Sequence, residues 1–169
     1  MAAIAGVLSA EDAPDAPRRF SVSWGAGMEG QPDATGRTSV LGFGMTANRD
    51  DGLTIRNQIE FCNGVLVRED IGEKHYKKTL ADKLSVGFLT RGGLFRSYGF
   101  VEGRVGTCGS ELWDSLENPA IWNLGAGTGL DLYATGRLSY FLEIGFLGNF
   151  YEGDFIPQQR FELGVMGHF

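Results

Sequence analysis

The sequence predicts an all-β chain, an eight-stranded antiparallel up-and-down transmembrane β-barrel. Three observations predict it. From residue 20 onward apolar residues recur at every second position, and helical spacing hardly appears. The connections between these runs alternate short and long, as the two ends of an up-and-down sheet require. The faces opposite the apolar ones are crowded with charge and glycine. A water-soluble barrel turns its apolar face inward, whereas a membrane barrel turns it toward lipid and keeps a polar interior.

Each strand is legible in turn. FSVSWGAGM (20–28) alternates Phe20, Val22, Trp24, Ala26 and Met28 against Ser21, Ser23, Gly25 and Gly27. LGFGMTA (41–47) alternates Leu41, Phe43, Met45 and Ala47 against Gly42, Gly44 and Thr46. In LTIRNQIEF (53–61), Leu53, Ile55, Ile59 and Phe61 share one face, and Thr54, Arg56, Gln58 and Glu60 the other. LADKLSVGF (80–88) and FRSYGFVEGRV (95–105) follow. WNLGAGTGLDLY (122–133) sets Trp122, Leu124, Ala126, Leu130 and Leu132 against Asn123, Gly125, Gly127, Gly129 and Asp131. LSYFLEIGFLGNF (138–150) and FELGVMGHF (161–169) complete the set. A strand tilted across a bilayer needs about 9–11 residues, and these runs supply that. The short connections are 48–52, 91–93 and 134–137; the longer ones lie near 30–37, 64–78, 107–120 and 151–159. Both termini fall at the short-turn end.

Composition excludes several classes. Gly is 26 of 169 residues and Pro only 5, with no triplet repeat, so the chain is not collagen-like. Twelve Phe, 5 Tyr and 3 Trp argue against disorder. The length suits one domain. A net charge of -6 and a pI near 4.9 argue against a nucleic-acid partner. The basic cluster KHYKK (74–78) reads as a solvated loop. No uncharged apolar run reaches 18 residues, so no transmembrane helix is expected. Residues 1–17 read as a signal-peptide remnant or a disordered tail, leaving 18–169 as the barrel. The histidines His75 and His168 lie far from both cysteines and there is no C-x-x-C, so neither a metal nor a cofactor is expected.

The charges mark the interior. Arg56, Glu60, Lys83, Arg96, Glu102, Arg104, Asp131, Glu143, Arg160 and Glu162, with Glu29, fall on the glycine-rich faces, five basic and six acidic. Mutual pairing in a narrow lumen would satisfy them. An eight-stranded barrel is just wide enough for side chains to fill, so a salt-bridged plug is expected in preference to a pore. On the apolar faces, Phe20, Phe88, Phe95, Tyr140 and Phe169 form one aromatic belt near the turn end. Phe61, Trp122, Phe150 and Phe161 form another near the loop end. Asn57 and Asp82 break the pattern by facing lipid, and Ser97, Gly99 and Gly103 leave strand five weakly apolar. The registers of strands three to five therefore stay open.

Three motifs invite chemistry. NLGAGTG (123–129) looks like a nucleotide-cradling loop, but such a loop needs a helix behind it. Here the turn ATGR (134–137) follows within about five residues, and the glycines fall at strand period. They read instead as a thin wall, leaving room for Phe100, Arg104, Phe141 and Glu143. Ser139 and His168 fall opposite one another in the last hairpin, with Glu143 two inward positions further along. A serine hydrolase would need these in hydrogen-bonded order and open to substrate; an interior plug fits better. Cys62 and Cys108 both lie near long-loop ends, where a disulfide could staple two loops in an oxidising compartment.

The chain ends on Phe169, preceded at alternate positions by Phe161, Leu163, Val165 and Gly167. This ending resembles the C-terminal signature of bacterial outer-membrane β-barrels. YGFVEGRVG (98–106), the segment 123–146 and this last strand together resemble the small eight-stranded OmpA/OmpX-type porin-like family. The resemblance implies a bacterial outer membrane, periplasmic termini and outer-membrane lipid around the barrel. It also implies that the barrel-assembly machinery reads the terminal signal Phe161, Leu163, Val165 and Phe169. The function expected is non-enzymatic: a polar, salt-bridged interior, with exposed loops serving envelope integrity or meeting a host or environmental ligand. The loop tips 30–36, 64–78, 108–119 and 151–158 would carry recognition, with Leu112 and Trp113 as candidate contacts. Two alternatives stand. A narrow conduit for small hydrophobic molecules, as in OmpW-type relatives, would need an apolar-lined upper lumen, whereas Tyr98 and Phe100, low in strand five, are the only obvious inward aromatics. A soluble lipocalin-like ligand carrier would want its apolar faces inside.

Overall fold

The computed structural model describes residues 20–49, 51–69, 71–109, 120–151 and 154–169. The described residues form a closed barrel of eight antiparallel strands in sequence order. These are β1 (Phe20–Gln31), β2 (Ala34–Asn48), β3 (Leu53–Arg68), β4 (Lys74–Leu89), β5 (Phe95–Gly109), β6 (Ala120–Thr135), β7 (Leu138–Tyr151) and β8 (Asp154–His168). Closure comes from β1 pairing with β8, from Ser21↔His168 to Gly30↔Gln159. A closed sheet has no free edge, so the ladder satisfies its own backbone groups as lipid demands.

The alternation puts the polar row inside and the apolar row outside. Trp24 is 58% exposed and Phe146 64%, whereas Arg96 and Asp131 are 0% exposed. The outward rows are aliphatic at mid-height and aromatic at both ends. At the loop end Trp122 stacks on Phe150 at 3.9 Å between ring centroids, and Phe150 meets Phe155 edge-on at 5.3 Å.

The strands outrun the alternating segments at the loop end, which corrects the expected loops. Gln31 pairs with Ala34, so the first connection is the tight turn Pro32-Asp33. Residues 64–68 and 74–78 belong to β3 and β4, and Tyr151 pairs with Asp154. The ladder depends on backbone pairing, so it continues where side chains stop alternating. Leu112, Trp113 and residues 1–17 lie outside the described residues.

Strands three to five pair without slippage, from Leu53↔Phe88 to Val67↔Lys74 and from Tyr76↔Gly109 to Leu89↔Arg96. Asn57 and Asp82 do face outward. Asn57 Nδ2 donates to Asp82 Oδ1 at 2.7 Å, so the two polar groups on the lipid side pair with each other. The register shifts between β6 and β7, at Tyr133/Thr135.

The glycines of β6 are contact surfaces for inward aromatics. A Cβ at Gly127 would stand 2.5 Å from Phe100 Cζ and 2.7 Å from Gly145 Cα. One at Gly129 would stand 2.5 Å from the Tyr98 hydroxyl oxygen and 2.6 Å from its Cε2. Phe141 lies sideways over the neighbouring β8 and on to β1, where a Cβ at Gly164 would stand 2.5 Å from its Cζ and one at Gly25 2.9 Å.

Candidate functional site

The lumen is built in layers from the turn end upward. At its floor Ser139 Oγ and His168 Nε2 lie 2.8 Å apart, with the Tyr133 ring 5.2 Å from the imidazole. Glu143 does not join them. It is held by Lys83 Nζ, 2.9 Å from both carboxylate oxygens, and by the Tyr98 hydroxyl at 2.8 Å. His168 Nδ1 has no protein partner. Ser139 and His168 are both fully buried, so nucleophile and base touch but lack an orienting carboxylate and a path for substrate.

Above the floor, Asp131 Oδ2 accepts from Arg56 Nη2 at 2.8 Å and from Arg96 Nη1 at 3.3 Å. Arg96 also donates to Ser85 Oγ at 2.9 Å and lies 4.4 Å from the Tyr98 ring centroid. At mid-height Lys83 pairs with Glu60 as well as Glu143. Arg160 from β8 crosses to Glu102 on β5, with Nη1 at 2.8 Å, and pairs with Glu162 beside it and with Glu60 at 3.5 Å. Arg104 joins Glu102 at 3.1 Å to Glu29 at 3.4 Å. All ten charges expected in the lumen are thus buried and in contact with opposite charge.

One basic residue of the expected loop KHYKK belongs to the lumen. KHYKK is part of β4, and Lys77 points inward, 3% exposed, with its Nζ 3.0 Å from Glu29 Oε2. Its phase with Thr79, Ala81 and Lys83 was the available signal. Counting it, the described lumen holds six buried basic side chains (Arg56, Lys77, Lys83, Arg96, Arg104, Arg160). Six acidic ones match them (Glu29, Glu60, Glu102, Asp131, Glu143, Glu162). Neutrality matters because an unmatched buried charge costs several kcal/mol, about 3–5 when one partner of a pair is removed.

Cys62 and Cys108 are free thiols, which corrects the candidate disulfide. Cys62 pairs across to Thr79 of β4, and β4's Lys77 pairs with Cys108 on the far side. Two strand spacings, with the two-residue offset from Thr79 to Lys77, put the thiols' backbones roughly 11–12 Å apart, beyond the reach of about 7 Å for a disulfide.

Above the charges the lumen changes character. Ala34, Leu66 and Ile121 turn inward and are buried around a cavity of about 470 Å3 at the mouth. The expectation that the upper lumen lacks an apolar lining is therefore corrected. Lys77 and Asn149 lie beneath these walls, and Arg68, His75 and Asp33 stand around them. Cys108 also lines the cavity, beyond the belt that Trp122 marks. Burial pushes its thiol above the ordinary cysteine range, against the pull of Lys77. Asn149 Nδ2 donates to Gln158 Oε1 at 2.6 Å, and Asn123 bonds Asn149. Nothing in the sequence singled out these three amides.

No family model matches this chain, and no curated protein matches it by sequence. Solved structures do match. The outer membrane enzyme PagL superposes with a TM-score of 0.55 at 15% identity, covering 86% of this chain and 97% of that one. Ail, the attachment invasion locus protein of Yersinia pestis, in complex with the heparin analogue sucrose octasulfate, gives 0.57 at 12% identity, covering 89% and 97%. The outer membrane protein OprG from Pseudomonas aeruginosa gives 0.52 at 11%, covering 90% and 97%. The chain therefore has the fold of the small eight-stranded outer-membrane β-barrels. The comparison overturns the expectation of a non-enzymatic chain, because PagL is an enzyme on this same architecture.

Proposed function

We propose that this chain is an integral protein of a bacterial outer membrane, with a plugged lumen and its functional contacts at the extracellular end. The termini and short turns lie on the periplasmic side in this reading. The observation that carries it is the inverted barrel: a charge-neutral, hydrogen-bonded interior inside an apolar wall with an aromatic belt at each rim. Such a wall is unstable in water and suited to lipid. The outward row Phe161, Leu163, Val165 and Phe169 on the closing strand supports its role as the assembly signal. Contact with a host or environmental ligand at the exposed end is in keeping with the ligand bound by Ail.

The test has two arms. The purified protein should require detergent and migrate differently on gels before and after boiling; solubility without detergent refutes the membrane reading. In planar bilayers it should pass no ions, and steady unitary conductance steps refute the plug. The apolar cavity favours small-molecule binding only at the mouth, since the layer of Lys77, Glu29 and Arg104 closes the lumen beneath it.

A further inference from the structure

We infer that the mouth cavity is a dead-end binding site for a small amphipathic carboxylate, its apolar body against Ala34, Leu66 and Ile121 and its head on Lys77. This rests on the outer-membrane reading above, which places the cavity on the outside of the cell.

The walls come first. Below the cavity the buried charges balance without help from above, with the inward Phe100, Phe141 and Met166 packed among them. The inward Leu66 and Ile121 satisfy no lipid contact and belong to no ion pair; they make an apolar collar on a polar plug. A volume of about 470 Å3 falls within the range of small-molecule sites, which form in the mouths of barrels and combine apolar walls with a few placed polar groups.

The head group follows from the floor. Lys77 carries three donors, of which Glu29 Oε2 at 3.0 Å and Gln158 Oε1 at 3.3 Å account for two. Gln158 accepts from both floor residues, Lys77 and Asn149, through the same Oε1. Its Nε2, in a side chain 1% exposed, completes no hydrogen bond, with the Glu29 carboxylate close by. A buried amide N–H without an acceptor is costly. Lys77, on the cavity floor, thus keeps an N–H that neither Glu29 nor Gln158 takes, with the Gln158 amide beneath it. Around it stand Arg68, His75 and Asp33, and His75 pairs with Glu73 at 3.6 Å. A carboxylate supplies acceptors for these donors. An alkylammonium head would meet Lys77, and an alcohol would offer one oxygen where a carboxylate offers two.

Cys108 reports on occupancy because it lines the cavity while Cys62 is buried below it. In a Cys62→Ser background, folded into phospholipid nanodiscs, Cys108 alkylation by iodoacetamide is timed with octanoate, 1-octanol or octylammonium. Octanoate at ten times its Kd should slow the reaction about tenfold by mass action, and the other two should slow it far less. Glu29→Gln with Lys77→Met keeps the lumen neutral and should abolish octanoate protection. Leu66→Trp fills the cavity and should abolish it independently, the boiling-dependent gel shift confirming that each variant is folded. Equal slowing by all three amphiphiles overturns the inference, as does no slowing in a folded, non-conducting protein. Neither result touches the outer-membrane reading, which falls only if the protein is soluble without detergent.

Discussion

Alanine at Gly129 and alanine at Gly127 should each destabilise the barrel, but only the first should be rescued by trimming the aromatic it strikes. At Gly129 the three atoms nearest a new Cβ all belong to the Tyr98 ring, with the hydroxyl oxygen at 2.5 Å and Cε2 at 2.6 Å. At Gly127 the new Cβ meets Phe100 Cζ at 2.5 Å but also Gly145 Cα at 2.7 Å, and the carbonyl oxygen of Ile144 is close as well. Both overlaps fall nearly 1 Å inside ordinary contact, so each substitution should cost about 1–3 kcal/mol. Removing a ring relieves a clash with the ring and leaves a clash with backbone. The Gly129→Ala/Tyr98→Ala cycle should therefore show a favourable coupling of about 1–3 kcal/mol. The Gly127→Ala/Phe100→Ala cycle should couple far less, because the β7 backbone stays in place. The cycle cancels what Tyr98→Ala loses by itself, namely the hydrogen bond to Glu143 and the stacking on Arg96. Equilibrium urea unfolding in phospholipid vesicles, followed by tryptophan emission, supplies the four free energies of each cycle. Additivity at Gly129 within about 0.5 kcal/mol, or equal rescue at both positions, refutes the view that the β6 glycines are seats for Tyr98 and Phe100.

Arg160→Met leaves Glu102, Glu60 and Glu162 short of a cation and should cost about 3–5 kcal/mol in the same unfolding assay. Adding Glu162→Gln restores neutrality and should recover much of that loss. On the lipid face, Asn57→Leu strands the Asp82 carboxylate and should lower the urea midpoint. Replacing Asp82 by Leu as well should raise it above the starting protein, since a lipid-facing carboxylate is destabilising, by less than the about 2–4 kcal/mol of a midplane Arg or Lys. Thiol titration of protein denatured without reductant should count two free thiols, and a disulfide-dependent gel shift would contradict the separation of Cys62 and Cys108 across β4.

The sequence by itself determined which residues face which way and how many strands there are. The pleat alone sets that period, so Ile55 against Arg56, or Leu130 against Asp131, is readable without knowing any partner. The signal failed where alternation lapsed. KHYKK reads as a charged loop because His75 and Tyr76 break the contrast between faces, and so Lys77, the counterion of Glu29, was missed. Loop lengths failed for the same reason, since backbone pairing from Gly64 to Arg68 and from Lys74 to Lys78 leaves no side-chain trace. Only the closed barrel decided who meets whom. Arg160 finds Glu102 across the lumen, Asn57 finds Asp82 on the outside, and Glu143 is drawn to Lys83 and Tyr98, away from His168. Those meetings depend on strand register and on the shear at which β1 closes onto β8. That offset is set by all eight strands together, and no local stretch of sequence contains it.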